Sequence, residues 1–143
     1  MPLSWARHRR ETLLEQYLAD PWRASALASA AVERASHELH DVLKALALSL
    51  DPFPGFLGLA TLQAVEVDVG YSGDADRGCV VVGPDGELYE LILRTIPAPP
   101  EMGGMDQIEE FKELELAPSE YVLYAYRAIQ ELAKVHRARQ EPS

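Results

Sequence analysis

Val65-Glu66-Val67-Asp68-Val69-Gly70-Tyr71, then Cys79-Val80-Val81-Val82-Gly83-Pro84-Asp85-Gly86, then Leu88-Tyr89-Glu90-Leu91-Ile92-Leu93-Arg94-Thr95-Ile96: these three runs decide the fold. In the first, valines alternate with acids, which is the pattern of a strand with one wet face. The second is apolar throughout, as a strand covered on both faces would be. Gly83-Pro84-Asp85-Gly86 is a hairpin turn, because proline presets φ and glycine accepts a positive one. Ser72–Gly78 reads as a second turn. Three strands joined by short turns make an antiparallel meander.

Upstream the period changes from two to 3.6. A first helix is expected from Ser4 to Ala19, and Asp20-Pro21 then starts a long one. The long helix runs to about Leu50, where Asp51-Pro52 closes it, since a residue before proline avoids the α region. Ala24, Ala28, Ala31, Ala35, Leu39, Val42 and Leu46 recur at helical spacing and form one stripe. Its alanine half would let a second helix approach closely, and its aliphatic half would face a larger core. An ordinary core helix explains the stripe, and a helix–helix dimer seam is the sharper alternative. Phe53, Phe56 and Leu57 lie in a loop at 51–62 and are expected to fold onto the core.

Downstream, Pro97–Met105 has no periodicity and reads as a mobile linker. Asp106 with Glu109 resembles a capping box and predicts a short helix to about Lys112. Glu113–Leu116 is then a brief fourth strand. Pro118 opens the last helix, which extends to about Arg139 with Tyr121, Ala125, Ala128 and Leu132 on its apolar face. Lys134, His136, Arg137 and Arg139 gather where the helix dipole favours positive charge. The sequence thus predicts a single α+β domain over 1–139 and a disordered tail at 140–143. It has N-terminal helices (one long), a three- to four-stranded antiparallel meander, and a C-terminal helix packed on the sheet.

The 143 residues carry 13 Lys+Arg and 23 Asp+Glu, a formal net charge of −10. The imbalance is local. Residues 61–116 hold 3 bases and 13 acids, whereas the segments on either side are close to neutral. A surface of that sign repels phosphate backbones and anionic membranes, so neither nucleic acid nor membrane is an expected partner. Arg7, His8, Arg9 and Arg10 form the one basic run and read as a solvated helix face. Cys79 is the only cysteine, which excludes an intrachain disulfide and favours a reducing, cytoplasmic setting. Its neighbours are glycine and valines, so it reads as an inert strand residue. No export signal is legible at the N-terminus, and the apolar stretch 42–62 is broken by Asp51-Pro52-Phe53-Pro54-Gly55.

Few residues offer chemistry. Glu33, His37 and His40 are the best metal candidates, at spacings of four and three on one helix, with Asp41 beside them. They point away from the alanine–leucine stripe, which makes a wet face the simpler account. Asp74-Ala75-Asp76 lacks the later ligands of a calcium loop. Glu66 and Asp68 share a strand face and could pair as acid and base. Tyr89, Tyr121 and Tyr124 could line a pocket beneath them, with the 97–105 loop as lid. The chain contains no phosphate-binding loop, nucleophile elbow or Cys-x-x-Cys pair.

The leading expectation is therefore a small acidic interaction module, an adaptor or chaperone-like homodimer with no cofactor. Its contacts would be Ala24, Ala28, Ala31 and Ala35 with a second copy. Met102, Met105, Glu109, Glu110 and Glu113 would meet a basic or amphipathic protein partner. The alternative is a small-molecule-binding or enzymatic domain with its pocket between sheet and helices.

Overall fold

The computed structural model describes residues 15, 19–57, 59–70, 78–97 and 105–141, with backbone alone at 59–61, 93–97 and 105–109. All of the expected first helix but Glu15 and Ala19, the basic run at 7–10, the 71–77 turn, Met102 with most of the 97–105 linker, and the last two residues lie outside this set. In chain order the elements are α1 (Pro21–Leu48), β1 (Gly55–Phe56), β2 (Leu59–Gln63), β3 (Val65–Glu66), β4 (Cys79–Val82), β5 (Leu88–Pro97), β6 (Met105–Glu113) and α2 (Pro118–Gln140). The chain is mixed α+β, as expected.

The long helix starts as its sequence dictates. Pro21 occupies its first turn, and the Asp20 carboxylate accepts a hydrogen bond from the Arg23 amide at 3.1 Å. It ends at Ser49, whose hydroxyl donates to the Leu46 carbonyl at 2.7 Å. The face that it buries differs from the expected stripe. Leu43 and Ala47 are buried, while Val42 is 50% exposed and Ala28 and Ala31 face solvent. Ala24, Ala35, Leu39 and Leu46 are half-buried. Two apolar stripes overlap on this helix, and the packing of α2 and the sheet selects the one through Leu43, Ala47 and Leu50.

β3, β4, β5 and β6 form a four-stranded antiparallel sheet in sequence order. Gly83-Pro84-Asp85-Gly86 makes the β4–β5 turn. The Gly86 amide donates to the Gly83 carbonyl at 3.0 Å, and Gly86 takes φ +80°. This is a type I turn closed by a left-handed residue. Val80 and Val82 look onto the helices, where they join Leu43, Ala47, Leu50, Phe53, Val67, Leu88, Tyr124, Ala125, Ala128 and Leu132. Val81 lies on the opposite face with Leu91 and Ala64, and Phe56, Cys79 and Tyr89 pack against them. Both faces of β4 are covered, which explains its unbroken apolar run. Each fully buried leucine of this core contributes roughly 1.5–3 kcal/mol.

β1 and β2 form a separate two-stranded sheet within the expected 51–62 loop. Phe53 joins the main core and Phe56 is half-buried. Leu57 does not fold inward. It sits at φ +52° between β1 and β2, with 81% of its surface exposed.

The expected helix at 106–112 is instead the strand β6. Met105–Glu113 pairs with β5 residue for residue, from Tyr89↔Glu113 to Pro97↔Met105. The edge of β5 opposite β4 carries backbone amides and carbonyls that need partners, and β6 supplies them. That demand outweighs a single capping-box pattern. The fourth strand is therefore longer and earlier than the expected 113–116 segment. The final helix matches its expected span, continuing to Gln140.

Candidate functional site

β4 pairs with only Leu88, Tyr89, Glu90 and Leu91 of β5. From Ile92 to Pro97, β5 pairs with β6 alone among the described strands. Among the described strands, none pairs with the other edge of β6. Glu109 stands opposite Leu93, and Met105 opposite Pro97. Glu110, Lys112, Glu113 and Glu115 are exposed. Over 105–115 the chain holds five acids and one base. Five of the thirteen acids of residues 61–116 thus lie on β6 and the two residues after it.

Beside this edge, on the face away from the helices, lies a cleft of about 370 Å³. Gln63, Gly83, Pro84, Asp85, Tyr89 and Phe111 line it. The Tyr89 and Phe111 rings meet edge to face, with centroids 6.1 Å apart and planes at 76°. Asp85 holds the tyrosine in place. One of its carboxylate oxygens accepts from the Glu87 amide at 3.0 Å, and the other accepts from the Tyr89 hydroxyl. The ring lies over Gly83, where a Cβ would stand 3.2 Å from it. The hydrogen bond to Asp85, with burial and the charges of Asp85, Glu113 and Glu87, pushes the Tyr89 pKa up to about 12.

A second polar cluster lies between α1, the β4–β5 turn and α2. His40 Nε2 and Glu87 Oε1 are 2.8 Å apart. The Tyr121 ring stands edge-on to His40, with centroids 6.2 Å apart. Its hydroxyl is buried and makes no hydrogen bond. Burial, reinforced by the Glu87 and Asp41 charges, raises the Tyr121 pKa to about 12. His40 therefore faces a carboxylate brought in from the sheet rather than open solvent. Glu33 and His37 remain exposed on α1. Among the described residues, no group of three or more His, Cys, Asp or Glu could hold a metal ion.

The five residues of the expected pocket are dispersed. Tyr124 is in the helix-side core, Tyr121 meets His40, and Tyr89 is on the other face of the sheet. Glu66 and Asp68 are exposed near Cys79. Burial, then the charge and a hydrogen bond of Glu66, then the charge of Asp68, push the Cys79 thiol up to about 11. These acids suppress the thiolate, which is the opposite of nucleophile activation. Ala28 and Glu33, with Ser25, Ser29, Val32, Pro118 and Ser119, line a shallow groove of about 380 Å³ where α2 begins beside α1.

Sequence reading missed Phe111, Asp85 and Glu87. Phe111 falls in the expected helix and Asp85 in the expected turn, and Glu87 falls between that turn and the third strand. A Tyr89–Phe111 contact becomes visible only once β6 is paired with β5. No family model, curated protein or solved structure matches this chain.

Proposed function

We propose that this chain is an acidic protein-interaction module that binds a basic segment of a protein partner along β6. The observation that carries this reading is the edge of β6 with which no described strand pairs, nine residues long with four acids and one base. An unpaired edge offers backbone donors and acceptors to an added strand, and side chains of opposite charge select which strand is added. The dispersal of Glu66, Asp68, Tyr89, Tyr121 and Tyr124 over separate places gives the enzymatic alternative no comparable support. A cytoplasmic setting belongs to the proposal. Among the described residues, no helix is long and apolar enough to cross a membrane.

A test is affinity capture from the protein's own cells, comparing the wild type with a variant in which Glu109, Glu110, Glu113 and Glu115 are changed to lysine. The expected result is a discrete partner, released by salt and absent from the reversed variant, whose circular dichroism melt is unchanged. Equal capture by both proteins overturns the reading.

Self-association through α1 is a second element of the proposal. Leu27 is 46% exposed on this helix, one turn before the exposed Ala31, and Trp22 is 84% exposed in its first turn, on the side away from the alanines. Residues 21–48 hold three bases and three acids, so two copies meeting there avoid the repulsion between their acidic sheets. Light scattering should give a dimer that Trp22→Glu with Leu27→Glu converts to monomer. A monomeric wild type removes this element alone.

A further inference from the structure

We infer that the Tyr89–Phe111 cleft receives a lysine side chain of the basic partner, its ammonium held against the two rings and between the Asp85 and Glu113 carboxylates. The inference rests on the reading of β6 as a partner-binding edge and names the subsite that would give that edge its specificity.

Four observations converge on a cation. Two of the six residues lining the cleft, Tyr89 and Phe111, are aromatic, and a ring face attracts positive charge through its quadrupole. The two rings stand at 76°, which makes a corner with two walls. A compact ammonium fits such a corner better than a planar guanidinium, which stacks on one ring. The phenol donates its proton to Asp85, which raises the electron density of the ring and strengthens its attraction for a cation. The charged groups around Tyr89 are all acidic: Asp85, Glu113 and Glu87. None of the six residues lining the cleft is basic.

The geometry also connects the cleft to the edge. Phe111 and Glu113 are two residues apart on β6 and so share one face, and Glu113 is the direct cross-strand partner of Tyr89. A strand added along β6 runs past both positions. Its alternate side chains project to the cleft face, so a lysine there reaches the rings with its stem lying on Phe111. Phe111 is 40% exposed, so its ring is open to such a side chain.

The test uses the intact protein and two probes, a hexalysine peptide and the same peptide with every Nε acetylated. Binding is followed by amide chemical shifts, on the wild type and on Phe111→Leu and Phe111→Ala. The expected result is that hexalysine shifts Gly83, Asp85, Tyr89 and Phe111, that the acetylated peptide does not, and that both variants bind at least threefold more weakly. Phe111→Leu keeps the apolar area without the ring, so its loss isolates the aromatic contribution. If Phe111→Leu binds like the wild type, or the acetylated peptide shifts the same residues, the inference is overturned. If hexalysine binds only along β6, with shifts that Glu110→Lys and Glu115→Lys abolish but neither Phe111 variant alters, the cleft is overturned and the acidic-edge reading stands. If neither peptide binds, both fail.

Discussion

The backbone of Lys44 stands where a side chain on Gly86 would begin: a Cβ built on Gly86 falls 2.6 Å from the Lys44 Cα. The β4–β5 turn is thus packed directly on α1 near its C-terminal end. This contact carries Glu87 to within 2.8 Å of His40, across 47 residues of sequence.

Gly86 is required twice, by the close approach and by its φ of +80°. Replacing it with alanine incurs the left-handed backbone penalty, about 1 kcal/mol, in addition to the clash. We expect Gly86→Ala to lose about 2–4 kcal/mol in urea denaturation. At roughly 2–4 °C per kcal/mol for a domain of this size, the Tm falls by about 10 °C. A fall of less than about 2 °C would mean that the turn moves freely off the helix.

Val42 and Leu43 are neighbours on α1 with opposite fates, 50% and 0% exposed. Leu43→Ala should cost about 2–5 kcal/mol, because a cavity opens between the helices and the sheet. Val42→Ala should change stability by less than about 0.5 kcal/mol. The reverse order in chemical denaturation would restore the stripe through Val42 as the core face.

Tyr121 carries a buried hydroxyl with no hydrogen bond. An unsatisfied buried polar group costs about 1–3 kcal/mol, so Tyr121→Phe should leave stability unchanged or raise it by about 1 kcal/mol. A loss above about 1 kcal/mol would show that the hydroxyl is bonded in solution.

Alkaline pH should unfold the protein in an ordered way. Cys79 rises from 9.0 to about 11, and Tyr89 and Tyr121 each rise from 10.0 to about 12. In each case the unfolded chain loses its proton first. Native stability from these groups is therefore complete below pH about 9 and falls as pH rises from about 9 to about 12. Phenolate absorbance should appear late for two tyrosines in the native state and at the ordinary pH for all six in urea. Alkylation of Cys79 at pH about 8.5 should be on the order of a hundredfold slower in the folded protein than in the unfolded one. Equal alkylation rates would contradict the suppression of the thiolate by burial, Glu66 and Asp68.

Local chemistry alone settled much of this fold. Proline and aspartate at Asp20-Pro21 set the start of the long helix, and Pro118 that of the last one. Gly83-Pro84-Asp85-Gly86 specified its turn, because only glycine meets the φ that the loop needs. The continuous run at 79–82 announced its strand, and the alternating valines announced theirs only over Val65–Glu66, shorter than the expected 65–71. A cysteine among valines announced a thiol with little thiolate. These readings succeed because each depends on residues a few positions apart.

The remainder depended on partners distant in sequence. Met105–Glu113 has no apolar alternation, yet it is a strand because β5 leaves a row of backbone groups to be paired. Val42 and Leu43 are equally apolar, and only the positions of α2 and the sheet choose between them. Phe111 meets Tyr89, and His40 meets Glu87, through register and packing that no short window contains. Backbone propensity and turn chemistry are properties of the local chain, so the sequence by itself determined them. Which faces are buried, which edge stays free and which aromatic rings meet depend on free energy gained across the whole fold, and the tertiary structure alone decided them.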